Sequence, residues 1–109
     1  MQSTTNKDTK TGTLQAGVAA DIDLDTSGSK NILVVVENTG GTNAITSVVV
    51  KMSPDGTAWG TNTAAGAAFG TIAANSDKPL EMEGVAFQKL RLTLTSTSGT
   101  TYRVTIRGT

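Results

Sequence analysis

Ser53-Pro54-Asp55-Gly56-Thr57-Ala58-Trp59 separates two β-type runs, and its reading decides the fold. Pro54 presets φ for the first corner of a type I turn, and Asp55 suits the second. Gly56 can then take the positive φ that returns the chain as a hairpin. The runs on either side are therefore strands. Trp59, the only tryptophan, follows at once and is expected to plug one end of the core.

Working backwards, Ala44 to Ser53 reads as a strand, apolar on both faces at Val48-Val49-Val50. Asn38-Thr39-Gly40-Gly41-Thr42-Asn43 is turn chemistry, and Asn31 to Asn38 is again two-sided at its centre, as a central strand is. Before the turn at Asp25 to Ser29, Val18, Ala20, Ile22 and Leu24 alternate with outward positions that include Asp21 and Asp23. Residues 1–11, MQSTTNKDTKT, lack periodicity and carry no large apolar residue after Met1. A flexible arm is expected there, with the folded domain spanning 12–109.

Working forwards, a short strand begins at Ala58 or Trp59. Residues 60–70, GTNTAAGAAFG, are the least specified part, a loop or a short helix through Ala64–Ala68 that Gly66 weakens. Thr71-Ile72-Ala73 resumes pairing and Asn75-Ser76-Asp77 turns. Lys78 to Met82 reads as an edge strand because Pro79 cannot donate to a ladder. At the end, Leu90, Leu92 and Leu94 face Tyr102, Val104 and Ile106 across a turn at Ser98-Gly99, which reads as a hairpin. Thr is the commonest residue, with 20 copies, and its branched Cβ favours strands throughout. The expected fold is all-β, an antiparallel β-sandwich of seven to nine strands and a jelly roll.

Composition removes most chemistry. The 109 residues contain no Cys and no His, which excludes thiolate zinc sites, disulfides, cysteine nucleophiles and the commonest general base. Asp21, Asp23 and Asp25 have calcium-loop spacing, but Thr26 and Ile32 stand where such a loop needs glycine and glutamate. Glu81 and Glu83 read as a solvated edge. Gly66 to Gly70 lacks the lysine of a phosphate loop. No cofactor, metal or enzymatic activity is expected. No apolar run approaches the ~20 residues of a membrane span, and the polar start is unlike a signal peptide, so synthesis in a host cytoplasm is expected without a membrane partner.

Charge is balanced overall but not along the chain. Residues 1–83 hold five Lys and Arg against nine Asp and Glu, a net of −4, whereas 84–109 carry +4 from Lys89, Arg91, Arg103 and Arg107 with no acid. Such a balance does not suit a nucleic-acid partner. The four cations are expected on one face of the last hairpin, either simply solvated or forming a docking stripe for an acidic surface. A core this small gains from oligomerisation, so self-association is expected.

Two resemblances follow. Ser53-x-Asp55-Gly56-x-x-Trp59, followed by Phe87-x-x-Leu90-Arg91-Leu92, resembles the jelly-roll pattern of discoidin-like and some carbohydrate-binding modules. The whole chain, short, Cys-free, His-free and rich in Thr, Gly and Ala behind a polar arm, resembles small tailed-bacteriophage capsid decoration or cement proteins. That resemblance implies a homo-oligomer, dimer or trimer, that binds the major capsid protein on the outer virion surface. Lys7 and Lys10 of the arm and Lys89, Arg91, Arg103 and Arg107 would be its gripping residues. The first resemblance implies instead a carbohydrate- or cell-surface-binding module of a head fibre or tail appendage, with Trp59 and Tyr102 as the ligand site.

Overall fold

Ile22 and Leu24, Ile32, Val34 and Val36, Val48 and Val50, Leu90, Leu92 and Leu94, and Val104 and Ile106 recur at every second position, and every one of them is buried. The computed structural model describes residues 6–26, 29–83 and 88–108. Within them this alternation becomes β2 (Ala20–Asp25), β3 (Ile32–Asn38), β4 (Ser47–Ser53), β7 (Lys89–Thr95) and β8 (Thr100–Gly108), joined by β1 (Asn6–Leu14), β5 (Gly60–Thr61), α1 (Thr63–Phe69) and β6 (Asp77–Met82). The strands form two four-stranded antiparallel sheets, in the orders β1-β8-β3-β6 and β2-β7-β4-β5. Outermost strands in sequence pair with each other, β1 with β8, β2 with β7, β3 with β6 and β4 with β5. A long hairpin of paired strands rolled into two sheets gives this order, and the expected jelly-roll sandwich is the fold found.

The Ser53–Trp59 segment joins the paired strands β4 and β5 as a hairpin, as read, and side chains hold its loop. Gly56 sits at φ 83°. The Asp55 carboxylate accepts from the backbone N–H of Thr57 at 2.8 Å and of Ala58 at 2.9 Å, and Ser53 Oγ accepts from Gly56 N–H at 2.8 Å. Trp59 departs from expectation. It precedes Gly60, the partner of Met52, and alternation turns its indole to the outer face, where it lies over Arg91. The plug is Phe69 on α1, 1% exposed.

That helix forms despite Gly66. Asn62 caps it, its side chain accepting from Ala65 N–H at 3.0 Å, and Ala65 and Phe69 turn inward beside a β5 of only two residues. A Cβ at Gly66 would lie 2.9 Å from the carbonyl oxygen of Val48, so glycine is what lets α1 approach β4. Ile72, expected to resume pairing, forms an isolated bridge with Ile45.

Two boundaries change. Residues 6–11, expected in the flexible arm, lie in β1 and pair with β8 from Asn6↔Gly108 onward; residues 1–5 lie outside the described residues. An edge strand is held by main-chain bonds and needs no large side chains, so its sequence lacks a core signature. The terminal hairpin is in fact an arch, since β7 and β8 belong to different sheets. Their inward residues face each other across the core. The crossing is pinned by Ser96 Oγ donating to Ala44 O at 2.6 Å and by Asn43 Nδ2 donating to Gly99 O at 2.9 Å.

One buried polar residue ties the same end together. Asn38, 1% exposed, donates through Nδ2 to Asn43 O at 2.8 Å and Ile72 O at 3.1 Å. Its Oδ1 accepts from Gly40 N–H at 3.1 Å and from Thr100 Oγ1 at 2.8 Å. All four of its hydrogen-bonding positions are met, so its burial carries no desolvation debt.

Candidate functional site

The arch splits the basic residues between opposite surfaces. Outward positions of β7 place Lys89 and Arg91 on the face of the β2-β7-β4-β5 sheet, whereas those of β8 place Arg103 and Arg107 on the face of the other sheet. The expected single stripe is therefore not formed. Period-two alternation gives a strand's inner and outer sides but not the sheet it joins.

One arginine on each face then meets an acid of the same chain. Arg91 stands directly across the ladder from Asp23 and donates to it twice, Nε to Oδ1 at 2.6 Å and Nη2 to Oδ2 at 3.0 Å. Arg103 stands across from Glu37 and donates Nε to Oε1 at 3.2 Å and Nη2 to Oε2 at 2.7 Å. Hydrogen bonding from Arg91, helped by its charge and that of Lys89, holds the Asp23 carboxyl below its ordinary range. Arg103 does the same for Glu37. Asp55 is lowered as well, first by the N–H groups of Ala58 and Thr57. Asp23 and Glu37 of the −4 segment are thus matched inside the molecule.

On the β2-β7-β4-β5 face, Asp23, Arg91, Lys51 and Thr61 form one row across the four strands. The indole of Trp59 lies against Arg91 of this row, its ring centroid 4.1 Å from the guanidinium carbon. Asp21 accepts from Thr93 Oγ1 at 2.7 Å, and no cluster of metal-binding side chains occurs among the described residues.

The remaining candidates lie elsewhere. Arg107 lines a depression of about 190 Å³ with Leu33, Glu81 and Glu83. Lys10 sits on β1, 3.9 Å from Asp8, and lines a second depression with Asp21, Asp23 and Tyr102. Lys7 belongs to β1 by its backbone. Tyr102, on β8 opposite Gly12, packs against the core edge, so it and Trp59 sit on different sheets and form no joint aromatic site. Phe87 of the sugar-module pattern lies outside the described residues.

Sequence reasoning missed a groove of about 400 Å³ between β4 and α1, lined by Val49, Thr61, Asn62, Ala67 and Thr71 among others. Its only sequence signal is the run of small residues that lets α1 lie close to the sheet.

No protein-family model matches the chain, and no curated protein matches it. Solved structures do resemble it. The Yersinia pseudotuberculosis-derived mitogen superposes with a TM-score of 0.62 at 19% identity, over 93% of this chain and 84% of that one. Aeromonas hydrophila PliG, a periplasmic inhibitor of g-type lysozyme, gives 0.54 at 12% identity, over 92% and 83%. A chain from the atomic structure of Sulfolobus Turreted Icosahedral Virus gives 0.54 at 19% identity, over 96% of this chain and 29% of that one. At such identities the likeness is one of fold, a sandwich used by structural and binding β-proteins with unrelated roles.

Proposed function

We propose that this chain is a structural virion protein, a phage capsid decoration or cement protein that binds the outer surface of the major capsid protein shell and stabilises it as a homo-oligomer. The observation that supports this most is the pre-organisation of both outer faces. Arg91 and Arg103 are each held in a two-point fork by an acid across the ladder, so a partner docks on them with little side-chain entropy to lose. Among the described residues Lys89 and Arg107 make no ion pair, and of the four cations on the last two strands they are the ones left to grip acidic surface. The fold likeness to a chain of an icosahedral virus is in keeping with this role. The mechanism is adhesion, in which many weak symmetric contacts gain strength through multivalency.

Mass spectrometry and immunogold labelling of purified virions test the reading. The chain should be present in many copies on the outer shell, and reversing both Lys89 and Arg107 to Glu should release it while leaving it folded. Its absence from particles, or labelling confined to the tail, sinks the proposal.

A second reading has one observation in its favour. Trp59 is half-buried on an outer face, not sequestered in the core, and an indole so placed can stack on a sugar ring. Saturable binding on a glycan array that Trp59→Ala abolishes would establish it, and a blank array would remove it.

A further inference from the structure

The sheet edges differ sharply in what they could pair with. β6 contains Pro79, which has no N–H to donate, amid Asp77, Lys78 and Glu81. β5 has only two residues. β2 carries Asp21, Asp23 and Asp25 at alternate positions, so a two-fold pairing of β2 with a second β2 about any of residues 21–25 sets aspartate against aspartate. β1 is nine residues long and, among the described residues, is paired on one side only, with Thr9, Lys10, Thr11 and Thr13 exposed.

Charge selects one register for β1 paired with itself. Side chains alternate between faces, so a two-fold axis sets each residue against one at an even spacing from it. An axis at Lys7, Asp8 or Lys10 places that charge against itself. An axis at Thr11 faces Lys10 with Gly12 and pairs no charges. An axis at Thr9 sets Asp8 against the partner's Lys10 and Lys10 against the partner's Asp8, with Thr9 against Thr9. Opposite charges and paired threonines are the favourable cross-strand combinations. Within one chain Lys10 and Asp8 are 3.9 Å apart, with side chains 50% and 35% exposed, a loose contact that leaves both able to re-pair.

We infer that two copies of this chain associate edge to edge through β1, antiparallel, about a two-fold axis at Thr9, joining their β1-β8-β3-β6 sheets into one. The inference rests on the self-association in the reading above and specifies its surface. It is measured in solution without virions, so its failure and the failure of shell binding are separately visible.

The absence of cysteine makes the test clean. Facing residues on paired antiparallel strands have Cβ atoms about 4.5–5.5 Å apart, near disulfide reach. Under mild oxidation Thr9→Cys should run as a covalent dimer on a non-reducing gel, while Thr13→Cys stays monomeric. By analytical ultracentrifugation, Asp8→Lys or Lys10→Asp alone should weaken association by roughly tenfold, and the double swap should restore it. Circular dichroism of each variant checks that the sandwich remains folded. A wild-type chain that sediments as a monomer overturns the inference. So does equal crosslinking at Thr9 and Thr13, or a dimer indifferent to both charge reversals, which would place the contact elsewhere, including β1 against the partner's β2.

Discussion

Arg91 and Arg103 stand on opposite outer faces of the sandwich, each forked onto the carboxylate directly across its ladder, Asp23 and Glu37. The two pairs are the same device used twice. In each, an arginine from the end of the chain lies beside an acid from an earlier strand, and part of the charge imbalance along the sequence cancels in space. Each fork also reports register, because a shift of one residue would carry the arginine to the core side.

Coupling between Arg91 and Asp23 should therefore be measurable but modest. In a double-mutant cycle with Arg91→Ala and Asp23→Ala, each single change should lower the urea midpoint slightly, and the double variant should lose less than the two losses combined. The coupling should shrink in high salt, since both side chains reach solvent. Strict additivity would mean that the fork contributes nothing to stability.

Acid sensitivity follows from the same forks and from Asp55. Asp23, Glu37 and Asp55 are all held below their ordinary pKa in the folded chain, so folding favours their ionised forms. The stability they contribute is fully present above the unfolded values of about 4 and is lost as pH falls through the lower folded values. With no histidine to titrate, the thermal midpoint should stay nearly level from about pH 8 to pH 5 and drop below about pH 4. Asp55→Asn should flatten that drop. A midpoint that rises on acidification would reverse the sign of the argument.

Strand positions were legible because Leu90-Leu92-Leu94 shows period two and the two-sided apolar runs at Ile32–Val36 and Val48–Val50 are rich in β-branched residues and bounded by turns. What alternation cannot encode is which sheet a strand enters. Thus β7 and β8 read as a hairpin although they face each other across the core, and the four cations read as one stripe. Edge strands are quieter still. β1 is held by its main chain beside β8, and threonines and lysines of the kind found in a loose tail suffice for that. The outward positions of Lys89, Arg91, Arg103 and Arg107 were therefore legible, but not their division between two faces.

Trp59 and Phe69 exchange the roles their sizes suggest, and one fluorophore separates them. The emission of Trp59 should lie toward the solvent-exposed range and respond to acrylamide, since its indole rests on Arg91 outside the core. Phe69→Ala should cost about 3–5 kcal/mol, the loss typical of a buried aromatic. Trp59→Ala should cost far less. Blue-shifted, unquenchable emission would return Trp59 to the core and undo the assignment.

Gly66 and Asn62 test whether α1 is defined by helix chemistry or by its contact with β4. Intrinsic propensity favours Gly66→Ala by roughly 1 kcal/mol, because alanine loses less backbone entropy. The new Cβ would meet Val48 O at 2.9 Å, a backbone atom that cannot swing aside, so α1 must lift from the sheet and loosen Ala65 and Phe69. The substitution should therefore destabilise despite its propensity. Asn62→Ala removes the cap on Ala65 N–H and should cost about 1 kcal/mol without moving the helix. Chemical denaturation of both variants, with hydrogen exchange across residues 63–69, decides the matter. A Gly66→Ala chain more stable than wild type would show that contact with Val48 places no limit on α1.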